Sequence, residues 1–376
     1  MGDAETGFKR FYDARCAYAI AEMVDPIYPI DADDYAAEVQ RLVGPLELKD
    51  RVFVLADGLR KRLPDDYPSA IQIIVQSLKP EIGEDEGMFN AGWYLMPIAR
   101  FVEEFGLEYP GLSLDALEEI IKRHTAEFAI RPFIENHYAL TMEKLREWAK
   151  SPNAHLRRAA SECTRTRLPW GTKLTIFIEN PKPVLSILEH LRSDPSDYVR
   201  KSVGNNLNDL SKDWPDVVMD EIEKWLSESP TIETKEIAKR ALRSLLKKGH
   251  QRAFTLIGAT GGNVIEVLSF QISPEQIQVG ESIKMNLELF NPDDFMHRLT
   301  IDYVIHHVRS KGQTIPKVFR FTSIQLNPKE ERLFSKNHRV KEVTVRAYYA
   351  GPHRVDVVVN GIVKASSSFD LKGVDV

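Results

Sequence analysis

The sequence predicts a multidomain chain: an all-α HEAT-like helical-repeat solenoid followed by an all-β immunoglobulin-like sandwich. Three observations predict it. Apolar residues recur at helical spacing as far as Phe254, and inside that stretch a motif returns with a period near 40 residues. Past a break at Gly258, Gly261 and Gly262 the apolar period changes from 3.6 to 2. A length of 376 residues suits two cores. We therefore expect a helical domain over 1–258, a flexible linker over 259–263 and a sandwich over 264–376.

The first helices show their periodicity in Val52, Leu55 and Leu59, then in Ile71, Ile74, Val75 and Leu78, then in Leu114, Leu117 and Ile121. Pro45, Pro64, Pro68, Pro80 and Pro110 punctuate them. Ser113 is expected to cap a helix with Asp115 in its first turn. That helix should run through Ile130 and stop at Pro132, because a residue before proline leaves the α region.

The repeats come next. Leu156-Arg157-Arg158-Ala159-Ala160 follows a turn at Pro152, and Val199-Arg200-Lys201-Ser202-Val203 follows Pro195, 43 residues later. Ile237-Ala238-Lys239-Arg240-Ala241 echoes them 38 residues further on. A helix, a proline turn and a second helix carrying an apolar-Arg pair mark HEAT-type units, which bury their faces only against neighbours and stack around a concave surface. The second helices bring Arg157, Arg158, Arg200, Lys201, Lys239, Arg240 and Arg243 into comparable places, continued by Lys247, Lys248 and His250. Such a face suits a phosphate backbone. The apolar-Arg position also serves ion pairs within repeats, which would make roughly half of these cations structural.

Beyond the break, Val264, Glu266 and Leu268 begin the strands, followed by Ile283, Met285, Leu287 and Leu289. Alternation returns over 299–308, 343–349 and 355–359, and Asn360-Gly361 is a hairpin signal. Seven or eight short strands in this length read as an immunoglobulin-like sandwich without the cysteine pair of antibody domains.

The net charge of −5 is unevenly placed. Residues 1–120 hold 24 acidic against 11 basic side chains, whereas 121–250 hold 23 basic against 18 acidic. For a polyanion partner the local basic face matters, not the total. No run approaches the roughly 20 apolar residues of a membrane helix. The first thirteen residues are too polar for a signal peptide, so a cytoplasmic monomer is expected. Cys16 and Cys163 form no CxxC pair, and P-loop, dinucleotide and HExxH patterns are missing, so no cofactor and no metal is expected. His306, His307 and His338 read as surface residues.

One stretch, 151–173, gathers Arg157, Arg158, Arg165, Arg167 and Lys173 around a single carboxylate, Glu162. On a helix Arg158, Glu162 and Arg165 share a face, and cations on both sides favour the ionised carboxylate. Trp170 sits just beyond, in the corner Leu168-Pro169-Trp170-Gly171. The stretch is either a polyanion surface with chemistry at its centre or a solvated helix with two ion pairs. At the level of the whole chain, an enzyme, a non-catalytic DNA-binding module and a protein scaffold are all open.

Several segments together carry a resemblance. They are 127–133, with Glu127 and Arg131; 158–162 and 167–171; 203–209, with Asn205, Asn206 and Asp209; 241–250; and 316–319. With these the chain resembles AlkC-type DNA-3-methyladenine glycosylases, relatives of AlkD in the HEAT-like DNA alkylation repair family. Its tail resembles the immunoglobulin-like extension of one branch. The resemblance implies a bacterial base-excision repair hydrolase acting on double-stranded DNA. It would release cationic methylated bases, chiefly 3-methyladenine and also 3-methylcytosine, without flipping them into a pocket and without a cofactor. It places Glu127 and Glu162 at the active site, with Asp209 as a third candidate and Trp170 against the sugar or base beside the lesion. The expected DNA contacts are Arg157, Arg158, Arg165, Trp170, Arg200, Lys201, Asn205, Asn206, Arg243, Lys247, Lys248, His250, Lys317 and Arg320. The residue types suit this chemistry. A base alkylated on a ring nitrogen is already a good leaving group, so what is needed is negative charge beside an oxocarbenium-like sugar and a placed water.

Overall fold

The computed structural model describes residues 7–83, 92–309, 312–341 and 348–372. Two compact units emerge: Met1–Trp214 with Ser229–Ala241, and Pro215–Glu228 with Leu242–Val376. The grouping does not follow the linear division at 258–264. Helices Pro215–Glu228, Arg243–Lys247 and Gln251–Leu256 associate with the β-sandwich. Among the described residues no helix is long and apolar enough to cross a membrane.

Every regular element described in the first unit is a helix. Asp13, Asp31, Asp66 and Asn153 open four of its helices by accepting a main-chain N–H in the first turn. Two expectations fail here. The helix expected from Ser113 starts at Pro110, where a missing N–H costs nothing in the first turn, and ends at Ile121. Ser113 lies inside it, buried, its Oγ donating to Gly106 O at 2.8 Å with Tyr67 Oη also at 2.8 Å. Pro132 likewise ends nothing: it sits in the first turn of Arg131–Asn136. Glu127 is therefore on a turn, not on a helix.

The second helices of the repeats, Ala154–Glu162, Asp197–Leu210 and Ile232–Ala241, pack in series. Arg157 and Arg200 play one part in successive repeats. Arg157 donates to Ser151 O and Pro152 O at 3.1 and 2.8 Å and pairs with Asp194 at 2.7 Å. Arg200 donates to Asp194 O and Pro195 O at 3.0 and 2.7 Å and pairs with Glu236 at 2.9 Å. Each arginine satisfies the carbonyls of its own proline turn and ties that turn to an acid further along the chain.

The second unit carries a three-stranded sheet, β1 (Glu266–Ser273), β3 (Ser282–Phe290) and β6 (Glu331–Arg339), in the order β1-β3-β6. The other sheet runs β2 (Gln276–Gln278), β8 (Ile362–Lys372), β7 (Gly351–Val359), β4 (His297–Val308) and β5 (Thr314–Leu326). Ile283, Met285, Leu287 and Leu289 of β3 face Ile301, Tyr303 and Ile305 of β4 and Val355, Val357 and Val359 of β7 in one core. Asn360 and Gly361 turn β7 into β8 with φ of 46° and 81°, the positive pair that a type I′ turn requires. The Asn360 side chain also accepts from Thr300 N at 2.7 Å and donates to Thr260 O at 2.8 Å.

That second bond bears on the expected flexible linker. Thr260 N donates to Arg298 O at 3.0 Å, and Gly261 lies so close to His297 that a Cβ would meet its ring at 2.3 Å. The segment is fastened along the sandwich. The histidines are not bare surface residues either: His306 bonds Asp356 at 2.7 Å, His338 bonds Tyr303 at 2.9 Å, and His307 is buried beside Tyr348 and His353. Most of the strand expected over 343–349 lies outside the described residues.

Candidate active site

Helix Ala154–Glu162 builds the centre. Asn153 caps its start, Leu156, Ala159 and Ala160 face the core, and Arg158 and Glu162 share the other side one turn apart. The chain then leaves the helix in a turn, with Thr164 Oγ1 bonding back to Ala160 O at 3.2 Å, which places Arg165 beside Glu162. Arg165 Nη1 donates to Glu162 Oε1 at 2.7 Å, and Arg158 Nη2 lies 3.6 Å from the same oxygen. Arg158 Nη1 reaches Thr125 Oγ1 at 2.5 Å and Glu127 Oε2 at 3.1 Å, with its guanidinium 5.2 Å from the Tyr198 ring centre. The expected grouping of Arg158, Glu162 and Arg165 is present, and Glu127 joins it through Arg158.

Glu127, 9% exposed, and Glu162, 6% exposed, line one cavity of about 270 Å³. Phe8, Tyr12, Leu48, Phe128 and Leu168 supply apolar wall, and Trp170 stands at the cavity, 66% exposed. Trp170 holds a φ of 64°, in the left-handed region that a bulky side chain rarely adopts. The corner around it is fastened. Gly171 N donates to Leu168 O at 3.0 Å, and Lys49 Nζ donates to Trp170 O. The buried Arg131 guanidinium donates to Arg165 O at 2.9 Å, to Cys163 O at 3.3 Å and to Thr172 O.

Electrostatics keep Glu162 charged. Burial alone would raise its carboxyl, but Arg158 and Arg165, helped by a hydrogen bond from Ser202, hold it below the ordinary carboxylate range. Burial pulls the Arg158 and Arg165 guanidiniums down, and the facing acids more than reverse this, so both are held charged. Burial pushes the Tyr198 hydroxyl up to about 12, keeping it neutral.

The expected site residues separate into groups. Asp209, 2% exposed on helix Asp197–Leu210, is not among the cavity-lining residues. It accepts from Arg165 Nε at 2.9 Å and Nη2 at 2.8 Å, and from Lys212 at 2.9 Å. Arg158 and Arg165 are enclosed partners of the acids, not outward-facing cations. Asn206 is fully buried and donates to Ser161 O at 2.7 Å and Thr164 Oγ1 at 2.9 Å, so it fastens helices together. Asn205 is half-buried. Lys201 is exposed beside Asp197, whereas Arg157 and Arg200 are committed to their turns. In the second unit Lys247 and Lys248 are exposed, Arg243 and His250 are half-buried, Lys317 lies over the Phe319 ring at 5.2 Å, and Arg320 pairs with Asp302 at 2.9 Å. Sequence reasoning missed Ser202, Tyr198, Thr125 and the support from Arg131 and Lys49. Arg131 lies inside a segment that carried the resemblance, but nothing in its neighbours marks it as buried. No group of three metal-binding side chains that could hold an ion exists among the described residues.

Residues 120–247 match the family model described as DNA alkylation repair enzyme, and residues 266–373 match that of the C-terminal Ig-like domain of the uncharacterised protein YhaZ. The chain is 35% identical over 326 residues to the uncharacterized protein YhaZ of Bacillus subtilis (strain 168), covering 87% of this chain and 88% of that protein. It is also similar to the Pseudomonas fluorescens alkylpurine DNA glycosylase AlkC solved bound to DNA containing an abasic site analog. That match has a TM-score of 0.88 and 32% identity, and covers 97% of this chain and 99% of the other. The chain belongs to the AlkC-type family of DNA alkylation repair enzymes, in the branch that ends in an immunoglobulin-like domain.

Proposed function

We propose that this protein is a DNA glycosylase that hydrolyses the N-glycosidic bond of cationic alkylated bases in duplex DNA, chiefly 3-methyladenine and also 3-methylcytosine. The observation that carries the reading is the convergence of Glu127 and Glu162 on one cavity with Trp170 beside it. A base carrying a methyl on a ring nitrogen leaves as a neutral molecule, so the protein need not protonate it. Positive charge then grows on the sugar, and fixed negative charge in an enclosed site stabilises it most. Glu162, held ionised by two arginines, supplies that charge. Glu127 has an oxygen, Oε1, that accepts no hydrogen bond among the described residues, so it suits the task of orienting water. Asp209 acts one step back, holding Arg165 against Glu162.

This chemistry takes place at the sugar, so the base need not be flipped out of the stack. The reaction is also monofunctional. Among the described residues no lysine lines the cavity, which supports a reaction without a Schiff base, and borohydride should trap no covalent DNA complex. The deciding experiment is incubation with methylated duplex DNA followed by chromatography of the released bases. Free 3-methyladenine is the expected product; intact methylated DNA would reduce the protein to a DNA-binding module.

A further inference from the structure

Glu162 is gripped on both oxygens by different kinds of donor. Arg165 Nη1 donates to Oε1 at 2.7 Å, and Ser202 Oγ donates to Oε2 at 2.6 Å. The two donors are not equivalent. An arginine fixes the carboxylate but offsets part of the negative charge that the sugar would feel. A hydroxyl fixes it with no net charge of its own.

Ser202 is buried on helix Asp197–Leu210 and does not line the cavity. Ser161 Oγ, 3.0 Å away, is a second acceptor for the same hydroxyl, but the contact to Glu162 Oε2 is the shorter and its acceptor is charged. The repeat shows that packing alone does not demand this hydroxyl. Ser202 comes 43 residues after Ala159, the same offset that separates Leu156 from Val199. The preceding repeat fills the equivalent place with a methyl group.

The geometry points to Ser202 as a positioning residue that locks Glu162 in the orientation it needs without adding to the positive charge already around it. The assignment rests on the glycosylase reading of the cavity. Among the described residues, the charged and titratable groups around Glu162 are Arg158 and Arg165, with Glu127 and Asp209 beyond them, Tyr198 and Cys163 alongside, and His124 and Tyr12 in the same cavity wall. None of them bonds Oε2, so Ser202 has no substitute there.

The test uses the full chain with 13C-labelled glutamate side chains. The Glu162 carboxyl is titrated by NMR in wild type, Ser202→Ala and Ser202→Thr, after circular dichroism has confirmed folding. In Ser202→Ala its titration should move up in pH, and Ser202→Thr should restore it. Single-turnover release of 3-methyladenine should fall about 10-fold in Ser202→Ala, as expected for losing a hydrogen bond to a charged group, with DNA affinity unchanged. In a Glu162→Gln background, Ser202→Ala should have no further effect. An unmoved Glu162 titration in folded Ser202→Ala overturns the assignment, as does an equal rate loss in the Glu162→Gln background. If Ser202→Thr does not fold, the titration in Ser202→Ala and the double-mutant comparison still decide. If wild type releases no base, the glycosylase reading fails, while the titration still reports whether Ser202 controls Glu162.

Discussion

Glu127 and Glu162 have similar burial but different surroundings, and substitution should separate charge from packing. Glu127→Gln and Glu162→Gln each keep shape and remove a negative charge. We expect single-turnover excision to fall by roughly 10²–10³, about 3–4 kcal/mol, while DNA affinity holds or rises. The double variant should lose less than the product, because both groups act on one transition state. Near wild-type rates in both single variants would remove these carboxylates from the chemistry. Trp170→Ala should lower affinity and rate together. The pH profile follows from the direction of the Glu162 shift. A carboxyl depressed in the folded state contributes stability that is fully present above its unfolded value, about 4.3, and lost as pH falls through the lower folded value. Excision should follow the same acidic limb. Arg165→Met tests the opposite partner: it leaves Glu162 and Asp209 without their shared cation and should cost about 3–5 kcal/mol in chemical denaturation.

At the scale of elements, the cations of the repeat helices do two jobs, and mutation should tell them apart. Arg157 and Arg200 fasten proline turns, so Arg157→Ala should lower the melting temperature and leave the salt dependence of DNA binding unchanged. Lys201 and Lys239 are exposed, and replacing either with Ala should flatten the log–log salt plot by about 0.9 if each neutralises one phosphate. A slope unchanged in both would take DNA off these helices. In the sandwich, the β7–β8 turn is built into the unit's packing. A Cβ at Gly361 would lie 2.6 Å from the Phe254 ring and 2.8 Å from Gly249 Cα, on a backbone at φ 81°. Gly361→Ala should destabilise the protein by about 1–3 kcal/mol, measured as a shift in urea midpoint without a change in slope.

At the scale of the whole molecule, the tail's role in DNA binding cannot be tested cleanly by cutting the chain after Gly261. Phe254 and Gly249 pack against Gly361, so the cut would uncover helix Gln251–Leu256 as well as remove the sandwich. Point changes are better. Lys317 is exposed on β5 and makes no ion pair among the described residues, so Lys317→Glu should weaken DNA binding with little effect on stability. An unchanged Kd would assign the tail a structural role. Arg320 is a poorer choice, because its loss strands Asp302, whose carboxyl burial already raises.

What could be read along the chain was periodic or local. The change of apolar period separated helices from strands, the 43-residue echo marked the repeats, and Asn360-Gly361 marked its hairpin, because each is governed by neighbours within a few residues. β5 and β6 escaped notice because neither alternates cleanly: Pro316 and the adjacent pair Val318-Phe319 break the period in β5, and β6 is largely polar. Glu162 with its two arginines was visible, since helical spacing alone joins Arg158 to it and Arg165 follows by one turn. Only the tertiary structure decided the rest. Ser202 meets Glu162 across 40 residues and Asp209 meets Arg165 across 44, and no local rule selects one serine or one aspartate among many. Pro132 and Ser113 were misread for the same reason: both suit a helix boundary locally, and packing against Tyr67 and the 163–172 corner determined where the helices begin. The charge on Glu162 follows from local sequence, but its orientation depends on how the repeats stack.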